Sequence, residues 1–175
     1  MATLLLMRHA KSSWDHPAAT DFERPLKKRG RQAARRMALK LLEEQLVPDV
    51  ILCSTAARAR ETSERMIPFW DPAPRVVLRD DLYHASPSQL VATVREFDGT
   101  SAKTLVVAHN PGMEILASRW AAKPVRFPTA AIARFEPELE NWGELELASA
   151  VPLVSVWRPS ELPDLDDPGI LEDSE

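Results

Sequence analysis

A chain of 175 residues, 45% hydrophobic and 27% charged, has the size and composition of one globular domain with a sizeable core. No apolar run approaches the ~20 residues that cross a bilayer, and Leu4–Met7 is too short for the apolar region of a secretory signal, so a cytoplasmic protein without a membrane segment is expected. The formal charge of −4 is uneven: seven acids and no Lys or Arg lie between Pro159 and Glu175, and the remainder carries 22 basic against 19 acidic residues. A mildly positive body suits an anionic substrate, although solvated surface charges give the same balance. We therefore expect one domain over residues 1–160 and an acidic, flexible tail over 161–175.

In chain order, Thr3–Met7 reads as a buried strand that ends at Arg8-His9. From about Lys28 to Gln45, Ala34, Met37, Ala38, Leu41 and Leu42 recur at helical spacing, with Arg31, Arg35, Lys40, Glu43 and Glu44 on the other face. Strand-like runs follow at Asp49–Ser54, Arg75–Leu78 and Lys103–Ala108, alternating with helices over Ala57–Met66, from Ser86-Pro87 to Phe97, and after Pro111-Gly112 to Trp120. This alternation predicts an α/β layer sandwich. Beyond Lys123, Ala130–Phe135, Glu144–Leu147 and Val151–Trp157 read as shorter strands around the turn-prone Glu140-Asn141-Trp142-Gly143, completing the sheet as a meander or edge hairpin. Cys53, the single cysteine, lies inside a strand-like run and reads as a buried small hydrophobe.

The chemistry collects where strands end, the place where open α/β sheets bind ligands. Arg8 and His9 follow the first strand, Arg58 sits in the first turn of the helix after the second, and His109 follows the fourth. A neutral imidazole can attack phosphorus, a guanidinium grips a phosphoryl group with paired donors, and a helix start favours an anion. If the strands are parallel neighbours, the four side chains converge on one crevice. Each alone is as easily a solvated charge; four at successive strand ends point to phosphoryl chemistry. His16 and His84 read as surface or rim histidines. No histidine pair or cysteine cluster has metal-ligand spacing, so no metal and no cofactor are expected. The five Trp are scattered, and nothing supports nucleic-acid binding.

The segments Leu6–Trp14, Asp21–Gly30, Ser54–Thr62 and His109–Gly112 resemble the SixA-type phosphohistidine phosphatases, a short branch of the histidine phosphatase, or phosphoglycerate-mutase-like, superfamily. The resemblance covers about residues 1–160 with the motifs in order. It implies a three-layer sandwich with a mixed, mainly parallel sheet flanked by helices, and metal-independent hydrolysis through a phosphorylated histidine. His9 matches the nucleophile; Arg8, Arg58 and His109 match the residues that hold the phosphoryl oxygens. Ala10 stands where much of the superfamily has Gly, and Asp15 where mutase-like relatives have a phosphate-holding Asn, so Asp15 is left out of the pocket. Asp80 and Asp81 lie near the position of the larger relatives' proton donor and read as a solvated turn. A phosphoramidate makes a weaker demand for such a donor, because the departing imidazole is easily protonated. The expected substrate is a phosphohistidine on a protein. A small phosphorylated metabolite is the alternative among enzymes, and a non-catalytic phosphate-binding module the alternative of another class. The short chain also predicts a shallow, open pocket.

Overall fold

The computed structural model describes residues 2–15, 20–97 and 103–163; His16 and most of the acidic tail lie outside the described residues. Ten elements form the frame: β1 (Thr3–Arg8), α1 (Lys28–Glu43), β2 (Val50–Ser54), α2 (Ala57–Met66), β3 (Arg75–Arg79), α3 (Pro87–Glu96), β4 (Lys103–Ala108), α4 (Gly112–Ala121), β5 (Ile132–Phe135) and β6 (Leu153–Trp157). One sheet runs in the order β3-β2-β4-β1-β5-β6. The first four strands are mutually parallel, whereas β5 pairs antiparallel with β1 and β6 antiparallel with β5.

The central strands are apolar along their whole length because both faces are covered. Period-two alternation divides their side chains. Leu4, Leu6, Leu52 and Val106 join a core with Leu90 and Val94 of α3 and Leu116 of α4. Leu5, Met7, Ile51, Cys53 and Val107 join the opposite core with Met37 and Leu41 of α1 and Met66 of α2. The expected three-layer α/β sandwich is therefore the fold. Truncating a core residue such as Met37 to Ala costs about 2–5 kcal/mol.

The predicted strand at Glu144–Leu147 does not form. Trp142–Glu144 is instead a 3-10 turn, and the sheet ends with the two antiparallel strands β5 and β6. Trp142 and Leu145 are buried in the core that includes α3, so the apolar residues read as one face of a strand act as a plug. Ala130 and Val151 likewise precede their strands rather than belong to them.

Two glycines set the approach of loops to helices beneath the strand ends. A Cβ on Gly30 in the first turn of α1 would lie 2.1 Å from the Lys11 carbonyl oxygen, which also accepts the Lys27 N–H at 2.9 Å. A Cβ on Gly112, at the start of α4, would lie 2.1 Å from the Ala85 carbonyl oxygen. Only glycine permits both contacts.

Candidate active site

β1 and β4 end in register, with Arg8 opposite Ala108, and the His9 N–H donates to the Ala108 carbonyl at 3.0 Å. Parallel pairing therefore delivers His9 and His109 to the same edge, with ring centroids 5.1 Å apart. β2 lies on the other side of β4, and α2 starts just beyond it with Arg58 in its first turn. Arg8, His9, Arg58 and His109 thus line one cleft of about 220 Å³, together with Arg24 and His84. The parallel-neighbour condition set by the sequence is met.

The His9 ring has a fixed tautomer. Its Nδ1 lies 2.7 Å from the Ala10 carbonyl oxygen, which can only accept, so Nδ1 carries the proton. The Arg58 Nε–H donates to Nε2 at 3.3 Å, so Nε2 holds a lone pair. Burial, the largest cause, pushes the His9 pKa down to about 3 despite the Ala10 carbonyl, and the charges of Arg58, Arg8 and Arg24 act in the same direction. The ring is neutral at any ordinary pH.

Arg58 is 4% exposed, and each of its three nitrogens makes one hydrogen bond, which leaves two N–H groups for a ligand. Besides its bond to His9, it donates from Nη1 to the Asp21 carbonyl at 2.7 Å and from Nη2 to Asp21 Oδ2 at 3.2 Å. The Tyr83 hydroxyl donates to the same Oδ2 at 2.5 Å. That hydroxyl above all, with Arg58 and Arg24 adding to it, holds the Asp21 carboxyl below the usual carboxylate range. Thr62 ties α2 to the loop that follows His9: its hydroxyl donates to the Arg58 carbonyl at 2.7 Å and accepts the Ala10 N–H at 3.0 Å.

The opposite wall is less complete. Arg8 donates from Nη1 to the Phe127 carbonyl at 3.3 Å, and its buried Nε has no partner among the described residues. His109 Nε2 lies 2.8 Å from Ser54 Oγ, which already accepts the Ala56 N–H at 3.3 Å. If Ser54 gives its one proton to that nitrogen, the neutral ring keeps its own on Nδ1, a buried atom without a partner among the described residues. Burial, followed by His9 and Arg58, pushes the His109 pKa down to about 3. Arg24 is 8% exposed; its Nε lies 3.2 Å from Asp21 Oδ1, its guanidinium sits 3.4 Å over the Trp14 ring, and its Nη1 has no partner among the described residues. Three guanidiniums thus line a cleft whose bracing carboxylate is Asp21, and the sum favours an anion.

Asp80 accepts the Thr55 hydroxyl at 2.7 Å and Asp81 pairs with Arg79 at 2.6 Å; neither lines the cleft. Asp15 is exposed and also outside it. His84 stands at the rim, its side chain 65% exposed, with φ at 56°. Asp21, Arg24 and Tyr83 were not assigned roles from the sequence. Asp21 and Arg24 belong to the quoted Asp21–Gly30 segment, whereas nothing marks Tyr83. Cys53 is buried and its thiol is pushed up to about 11, in keeping with a packing role. No helix among the described residues is long and apolar enough to cross a membrane.

Residues 4–86 match the model of the histidine phosphatase superfamily, branch 1. An uncharacterised protein of Mycobacterium leprae is 33% identical over 159 residues, covering 82% of this chain and 94% of the relative. An uncharacterised chloroplastic protein of Arabidopsis thaliana is 29% identical over 157 residues, covering 81% and 69%. The protein assigned as phosphohistidine phosphatase SixA in Agrobacterium tumefaciens superposes with a TM-score of 0.76 at 26% identity, covering 90% of this chain and 98% of that one. Its counterpart from Nakamurella multipartitia gives 0.76 at 27% identity, covering 90% and 96%. The chain belongs to the histidine phosphatase superfamily, within which it is a phosphatase of the SixA type.

Proposed function

We propose that this phosphatase hydrolyses phosphohistidine on a protein, in the cytoplasm, through a phosphoryl group carried on His9, and that residues 1–160 form its catalytic domain. The observation that carries this reading is the neutral His9 ring, its Nε2 lone pair turned to a guanidinium and its other nitrogen tied to a carbonyl. A ring so held needs no base to become a nucleophile.

In the first step His9 Nε2 attacks phosphorus and a new N–P bond forms. The P–N bond to the substrate imidazole breaks, the electron pair stays on that departing nitrogen, and a proton reaches it from water at the cleft mouth. Water then attacks phosphorus, the P–N bond to His9 breaks, and the pair returns to Nε2 while the proton from water passes to solvent. In both steps the equatorial oxygens carry the charge, and positioned donors lower the barrier. Arg8, Arg58 and His109 supply them, and Arg24 adds a fourth. Arg8 Nε and Arg24 Nη1, without a partner among the described residues, are donors awaiting acceptors, and His109 Nδ1 joins them in the tautomer in which Ser54 donates to Nε2.

Two features favour a phosphoramidate on a protein over a metabolite ester. No free carboxyl lines the cleft to protonate an alcohol leaving group, since Asp21 is held as an anion and Asp80 and Asp81 are engaged elsewhere. Trp14, 72% exposed, and His84, its side chain 65% exposed, line the cleft and reach solvent, a setting that suits a protruding protein side chain. The test is a side-by-side panel of phosphohistidine proteins and phosphorylated metabolites. Turnover of phosphohistidine with an acid-labile covalent label on the enzyme is the expected result. Strong turnover of a sugar phosphate with none of phosphohistidine would reverse the assignment, and absence of any label would point to a phosphate-binding module.

A further inference from the structure

Beside the phosphoryl cup lies a larger cleft, of about 450 Å³, that the reaction does not use. Lys11, Arg29, Gln32 and Arg36 line one side, Thr129 and Ser160 the other. Lys11 and Thr129 line the phosphoryl cup as well, so the two cavities share a boundary. Arg29, Gln32 and Arg36 come from one face of α1, at spacings of three and four residues. Among the described residues no carboxylate lines the cleft. Arg36 donates to the carbonyls of Leu162 and Pro163 at its edge, while the charged groups of Lys11 and Arg29 have no partner among the described residues. The contact of Gly30 with the Lys11 backbone fixes this wall against the nucleophile loop, so the two cavities keep one relative position.

A cationic groove that opens from the rim of a phosphoryl site fits an anion extending from the phosphorylated group. In a protein substrate that anion is the neighbouring polypeptide. We propose that the Lys11–Arg29–Arg36 groove receives an acidic stretch flanking the phosphorylated residue, so that the enzyme selects its substrates by the Asp and Glu content next to that residue. The inference rests on the protein-substrate reading above. Guanidiniums suit carboxylates because two parallel N–H donors match two oxygens. Each exposed pair is weak by itself, and two or three together give roughly tenfold in affinity at low salt. Screening removes most of that at high salt.

The experiment uses the full chain and two phosphohistidine peptides that differ only in flanking Asp/Glu against Gln. At low salt the kcat/KM ratio of acidic to neutral peptide should be roughly tenfold, expressed in KM, and should fall toward one at high salt. Arg29→Glu should abolish the ratio, whereas Lys28→Glu, the same charge change on α1 outside the groove, should leave it as in the unaltered chain. A ratio of one in the unaltered chain, or an equal fall in both variants, overturns the proposal. Anisotropy of a fluorescein-labelled, unphosphorylated Asp/Glu peptide separates the two readings. Binding that Arg29→Glu weakens, without turnover of either phosphopeptide, retains the groove and removes the phosphohistidine substrate. Turnover of both peptides without preference or binding removes the groove alone. A preference that emerges only when residues 164–175 are deleted assigns the groove to the chain's own tail and also overturns the proposal.

Discussion

The two walls of the phosphoryl cup differ in how completely their polar atoms are paired. On the His9 side, Arg58, Asp21, Tyr83 and Thr62 form a closed network in which the nucleophile's tautomer, ring orientation and loop are all fixed. On the Arg8 and His109 side, buried nitrogens have no partner among the described residues. A satisfied network makes a site rigid, and unsatisfied buried donors cost stability that a bound anion restores. The asymmetry separates the wall that aims the attack from the wall that waits for charge.

Substitution at the nucleophile gives the largest expected effect on this contrast. His9→Ala should abolish covalent labelling and reduce turnover by about 10⁴-fold or more, measured with labelled substrate and acid or base quenching. An active His9→Ala protein would sink the assignment. Next come the two guanidiniums, which should behave oppositely in stability. Both Arg8→Met and Arg58→Met should slow turnover by roughly 10²-fold or more and weaken tungstate binding. In urea unfolding, however, Arg58→Met should lose about 1–2 kcal/mol by removing the hydrogen bonds to His9 and Asp21, while Arg8→Met should gain about 1 kcal/mol by removing an unsatisfied cation. Equal losses in both would mean that the walls do not differ.

Smaller effects follow from the titration of the rings. His9 and His109 are depressed to about 3 in the folded chain, against an ordinary histidine value near 6.5. Between those values the unfolded chain binds more protons, so stability should rise with pH from about 3 to about 6.5 and be independent of these rings above that. The slope contributed by both rings is at most about 3 kcal/mol per pH unit. Urea midpoints across this window should show it, and His109→Gln should flatten it. The mildest change is Tyr83→Phe, which removes one of several bonds to Asp21. It should cost about 1 kcal/mol of stability and a few-fold in kcat, since Arg58 still braces the carboxylate. A total loss of activity would assign Tyr83 a direct part in the reaction.

Where sequence reading succeeds and where it stops follows from periodicity. β1, β2, β4 and α1 are legible because buried parallel strands are continuously apolar and amphipathic helices repeat. Arg8, His9, Arg58 and His109 are legible because each lies at the end of a strand-like run or within four residues of it. Asp21 and Tyr83 reach the site from short 3-10 turns and loops without any repeat, so only tertiary contacts reveal them. The false strand at Glu144–Leu147 has the same origin: Trp142 and Leu145 are apolar because they plug a core, and short apolar runs do not distinguish a plug from a strand.

The bond from His9 to its neighbouring carbonyl also decides regiochemistry. An imidazole has two sites for a phosphoryl group, and one of them is occupied by a proton that points into the backbone of the next residue. A trapped intermediate should therefore be the tele isomer alone, distinguishable from the pros isomer by phosphorus NMR of the denatured enzyme. Hydrolysis then proceeds from a single, defined phosphoramidate, with the ring's second nitrogen still anchored throughout the cycle.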